Sequence, residues 1–137
     1  MTDREIDALL AEYVLGCHPV PCRGGQDTQE FACTCYEPPE HTNKHSNARL
    51  TGRGLNEIPY FTRDIAAAWH LVSTLTHAEP PWLFVLDVGP RAHARFRQYD
   101  PQHFAYPASP LHTAKDPSAP RAIALAALKI YESKKEE

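Results

Sequence analysis

Four cysteines, Cys17, Cys22, Cys33 and Cys35, follow the pattern C-x4-C-x10-C-x-C, with His18 and His41 close by in sequence. Thiolate and imidazole are the ligands zinc prefers, and four of them around one ion would stabilise a polar segment that cannot bury a core of its own. Such a centre would be structural, because four thiolates leave no open position for a substrate. The spacing lacks the paired C-x2-C knuckles of common zinc modules. Cys33 and Cys35 also lie two apart in a β-like stretch, where cysteine serves equally as a small buried apolar residue. A structural zinc and four reduced thiols both stand as readings, and no cofactor is required.

A second set of residues is suited to anions. Arg121 falls in the first turn of a predicted helix opened by Ser118, Ala119 and Pro120, where the helix dipole disfavours a positive charge. An anion held jointly by its guanidinium and the free amides at the helix start would give that placement a reason, and phosphate suits it; the alternative is a plain exposed arginine. His93, Arg95, Arg97 and Tyr99 alternate at strand period, so that arginine could engage phosphate while tyrosine stacks on a base, unless the face is merely solvated. The candidate ligand-binding residues are therefore Arg121, Arg95, Arg97 and Tyr99. Trp69, Trp82 and Phe84 read as core. The chain has eight histidines, yet no nucleophile elbow, H-E-x-x-H or glycine-rich phosphate loop occurs, so no catalytic residue is assigned and binding is expected rather than catalysis.

The elements that must carry these residues fit one domain. With 137 residues the chain can bury one core, and residues 1–137 are expected to form a single domain with a cysteine-rich loop insertion at 17–57. A net charge of −3 gives no general attraction to nucleic acid, so any polyanion site must be local. No apolar stretch is long enough for a membrane span and no signal-peptide core precedes the first helix, which points to the cytoplasm and to no membrane partner. Thr2 and Glu5 make a capping box for a helix over 3–15 that ends at Gly16. Glu30 to Tyr36 alternates as a strand, and His41 to Leu55 reads as polar loop. Pro59 and Thr62 lead into a helix with Asp64 near its start, ending near His77. The nearly continuous apolar run from Trp82 to Val88 suits a central strand covered on both faces, which implies helices on both sides of the sheet. His93 to Tyr99 is a strand, Tyr106 to Pro117 a proline-broken loop, and a last helix follows Ser118 and frays after Glu132. The expected fold class is α/β in the α+β sense: a layered helix/sheet/helix sandwich with a small, largely antiparallel sheet and three main helices.

Three segments carry a family resemblance: Arg4-Glu5-Ile6-Asp7-Ala8-Leu9 running on to Val14-Leu15-Gly16, Tyr60-Phe61-Thr62-Arg63-Asp64-Ile65-Ala66-Ala67-Ala68-Trp69, and Ala119-Pro120-Arg121-Ala122-Ile123-Ala124-Leu125-Ala126-Ala127-Leu128-Lys129. In order and spacing they resemble the phage ABA-sandwich family of small phage and prophage proteins. The chain departs from that family at Cys17, where a tryptophan usually follows the helix-ending glycine, and in the long cysteine-rich loop. It is also similar to the Thoeris anti-defence sponges, which oligomerise and sequester cyclic nucleotide immune signals without degrading them. The resemblance thus implies a homo-oligomeric anti-defence protein of the host bacterial cytoplasm whose ligand is a small nucleotide. Two other functions remain open: an anti-CRISPR-like inhibitor that binds a host defence complex through the cysteine-rich loop, and a zinc-stapled nucleic-acid module.

Overall fold

The structure, a computed structural model, describes residues 2–16, 19–23, 29–33, 50–51, 55–107 and 111–135. Helix α1 (Asp3–Leu15) begins as its capping box dictates, with the Thr2 hydroxyl accepting from the Glu5 amide at 3.2 Å. It stops at Gly16, whose φ of 70° places it in the left-handed region that lets its N–H reach back to the Ala11 carbonyl. Ile6, Leu10 and Ala11 form its buried stripe.

Strands β1 (Pro19–Arg23), β2 (Gln29–Cys33), β3 (Leu50–Thr51) and β4 (Leu55–Glu57) form one antiparallel sheet in the order β1-β2-β4-β3. Part of the stretch expected as polar loop up to Leu55 is therefore paired strand. Of the four cysteines, Cys17 and Cys35 lie outside the described residues, while Cys22 stands opposite Glu30 and Cys33 opposite Pro19 in the β1–β2 register.

A buried ion pair ties α1 to the chain entering the next helix. The Asp7 carboxylate accepts from Arg4 Nη1 and from the Thr62 amide, each at 2.9 Å. Arg4 also donates to the carbonyls of Ile58 and Pro59 and lies 3.9 Å from the centre of the Tyr60 ring. Helix α2 (Ile65–Thr76) then starts at Asp64, whose carboxylate caps the Ala66 amide at 3.0 Å. Ala67, Ala68, Leu71, Val72 and Leu75 face the core.

Strands β5 (Trp82–Asp87), β6 (Ala92–Gln98) and β7 (His112–Asp116) form a second antiparallel sheet with β6 in the middle, and α3 (Ala119–Lys135) returns across it. The result is an α+β layered fold: α2 and α3 pack on the sheet, and α1 packs against both helices. One sheet face, carrying Trp82, Phe84, Ala94, Phe96 and Ala114, meets Ala122, Ile123, Ala127 and Ile130 in the common core.

Two elements differ from expectation. β5 lies at the sheet edge, and Leu83 and Val85 are each 38% exposed, so it is not a central strand covered on both faces. No helix covers the second face of this sheet among the described residues. Within the expected loop 106–117, His112 to Asp116 pairs with β6 as a strand.

Candidate functional site

Strand parity decides which candidate residues can meet. In the β5–β6 ladder Leu83 lies opposite Arg97 and Val85 opposite Arg95, and in the β6–β7 ladder Arg95 lies opposite Thr113 and His93 opposite Lys115. Directly opposed residues share a face, so Leu83, Val85, Asp87, His93, Arg95, Arg97, Thr113 and Lys115 all belong to the open one. Tyr99 extends that face by one rung, because its amide donates to the Pro81 carbonyl at 2.8 Å and its ring packs on Tyr106 at 5.2 Å. The expected trio of Arg95, Arg97 and Tyr99 is therefore brought together.

Arg121 is not. It pairs with Asp116, and Asp116 lies opposite Ala92 on the helix-covered face. Its Nη1 sits 2.6 Å from Asp116 Oδ2 and its Nε 3.1 Å from Asp3 Oδ1. Asp116 also caps the start of α3, accepting from the Ser118 amide at 3.0 Å. The anion foreseen at this helix start is thus the chain's own carboxylate. Burial alone would raise the Asp116 carboxyl, but the Ser118 amide and the Arg121 guanidinium together outweigh it and hold it below its usual range. The same two carboxylates push Arg121 further up, so it serves as a permanent cation clasping α1, β7 and α3.

Arg95 and Arg97 flank a shallow groove of about 90 Å³ floored by Leu83 and Val85. Arg95 donates through Nη2 to Asp87, while its Nε is buried without a hydrogen-bond partner among the described residues. Arg97 has no ion-pair partner among the described residues. Behind them His93 Nε2 meets the Thr113 hydroxyl. Arg95, Arg97 and Lys115 stand against Asp87 alone, so the face is net positive although the chain is not. An apolar floor walled by guanidinium groups can receive a flat organic group bearing a phosphate or carboxylate.

Sequence reasoning had no signal for a second exposed feature, the turn at 100–105. Asp100 binds it together, accepting from the Gln102 amide at 2.9 Å and contacting His103 Nδ1 at 2.5 Å, while its backbone pairs with Ala105. At its tip Phe104 is 83% exposed with φ of 51°.

Among the described residues no group of three or more His, Cys, Asp or Glu side chains could hold a metal, and no helix is long and apolar enough to cross a membrane. No family model matches the chain, and no curated protein or solved structure matches it significantly.

Proposed function

We propose that the protein works by binding rather than by catalysis, and that the open face of β5–β7 takes a small phosphorylated nucleotide and sequesters it intact. One observation carries the proposal: Arg97, without an ion pair among the described residues, and Arg95, with a buried Nε that lacks an acceptor among them, stand side by side over the apolar floor of Leu83 and Val85. A buried donor without a partner costs about 1–3 kcal/mol, a cost that an acceptor oxygen from a ligand would remove. Phosphate oxygens suit the guanidinium forks, and a base suits the floor and the neighbouring Tyr99 ring. Sequestration asks for tight complementary burial and no catalytic group. The phage setting, counter-defence against a cyclic nucleotide signal in the host cytoplasm, comes from the family resemblance. Arg121 is not needed for this site, since its charge is already met.

Titration calorimetry against cyclic and linear nucleotides tests the proposal, with mass spectrometry of the recovered ligand. Wild type should bind at least one nucleotide and return it unaltered. Arg97→Glu should weaken binding by about a hundredfold, or near 3 kcal/mol, with the chain still folded by circular dichroism, because Arg97 makes no ion pair within the chain among the described residues whose loss would unfold it. Folded protein that releases no heat with any nucleotide would sink it.

Phe104 favours a second reading, a protein-binding inhibitor. A bulky residue held at positive φ costs about 1–3 kcal/mol, and a turn that fixes an aromatic ring in water resembles an anchor for a partner's pocket.

A further inference from the structure

Four of the large apolar side chains left exposed among the described residues belong to β5 or border it: Trp69 at 46%, Leu83 and Val85 at 38%, and Val88 at 80%. Leu83 and Val85 lie on the open face. Trp69 of α2 lies on the other side, where it packs edge-on against Phe84 at 5.6 Å.

The backbone along the free edge of β5 is also directed outward. The Tyr99 amide bonds to the Pro81 carbonyl, which makes Pro81 and Tyr99 a bonded pair of the antiparallel ladder. Alternation then makes Leu83/Arg97, Val85/Arg95 and Asp87/His93 the bonded pairs, and turns the N–H and C=O groups of Trp82, Phe84 and Leu86 away from β6. No strand receives them among the described residues. β5 contains no proline, lysine or register break, the usual devices that protect an edge.

We propose that a second copy of this chain covers the edge, β5 pairing antiparallel with β5 so that the two three-stranded sheets become one. The charges favour a copy over another partner. Along the open face Asp87 stands at one end of β5, while Arg97 lies opposite Leu83 at the other. A two-fold rotation with Val85 on the axis sets Leu83 opposite the partner's Asp87, and brings Arg97, one strand further, within reach of that carboxylate. The Asp87 side chain is 60% exposed and engages Arg95 through Oδ2, leaving Oδ1 for the second guanidinium. In this register Phe84 and the partner's Leu86 are a bonded pair, so the outward amides find acceptors. The contact is isologous and closes at two chains, burying Trp69, Leu83 and Val85 at its centre. It concerns the ligand-free protein and does not depend on the nucleotide reading.

Sedimentation of the ligand-free chain across the micromolar range, with hydrogen exchange on the same samples, tests the pairing. Wild type should be a dimer in which the Phe84 and Leu86 amides are protected. Val85→Lys places like charges on the axis, and Leu83→Glu faces the partner's Asp87; each changes a side chain on the open face and should leave the monomer folded by circular dichroism. Both should raise the dissociation constant at least about tenfold and release the two amides to exchange. A wild-type monomer overturns the proposal, as does an assembly that survives Val85→Lys or one whose Phe84 and Leu86 amides exchange freely.

Discussion

The Asp7 carboxylate is fully buried, and the two donors it holds come from different parts of the chain: the Arg4 guanidinium on its own helix and the Thr62 amide beyond the first sheet. Burial pushes its carboxyl up, while the Thr62 amide and Arg4 pull it back. Asp7→Ala would strand the Thr62 amide and take from Arg4 the carboxylate it pairs with on α1. Loss of about 3 kcal/mol is expected, read as a lower urea midpoint with an unchanged slope; a loss under about 1 kcal/mol would mean that water replaces the carboxylate. Arg121 marks the limit of what single residues reveal in sequence. Its misfit with the helix dipole was legible, but one of the anions that resolve it, Asp3, is 118 positions away, and only the fold brings the two together. Arg95, Arg97 and Tyr99 were legible because strand parity is local, whereas the missing acceptor at Arg95 Nε depends on what packs around it.

Caps and stops made the helices readable: Thr2, Gly16, Asp64 and Ser118 each act within one turn of themselves. Strands were harder. The run from Trp82 to Leu86 is apolar on both parities because one side enters the core and the other is left exposed at an edge, and composition alone does not separate that case from burial on both sides. β7 escaped notice for the opposite reason, since its buried residues are only Ala114 and Asp116 and prolines flank it. At the head of β7, His112 packs edge-on against Trp82 at 5.6 Å. Burial, with Lys129 nearby, pushes its imidazole below the ordinary 6.5. The folded protein thus keeps His112 neutral where the unfolded chain takes up a proton. The stability it contributes is complete above 6.5 and is lost as the pH falls through the lowered value. His112→Gln should flatten the fall of the urea midpoint as the pH drops below 6.5, and an unchanged profile would place the proton uptake elsewhere.

Over the whole molecule, the size of the groove limits how the site can work. Ligand pockets usually enclose about 300–1,000 Å³, whereas Leu83, Val85, Arg95 and Arg97 outline about 90 Å³, so one chain cannot surround a nucleotide on this face. Pairing of β5 with its copy joins two such grooves across Val85 and sets four guanidinium groups around one floor. Each half carries three cations, Arg95, Arg97 and Lys115, against the single carboxylate of Asp87, so the joined face stays positive even with that carboxylate bridging Arg95 and the partner's Arg97. A ligand seated there exchanges the contact between Arg97 and the partner's Asp87 for phosphate contacts to both chains, and through those contacts binding and dimerisation reinforce each other by mass action. Calorimetry should give one nucleotide per two chains, and the ligand should tighten the dimer. One ligand per chain, with the dimer no tighter, would mean that each groove acts alone, and a contact beyond this face would have to supply the rest of the enclosure.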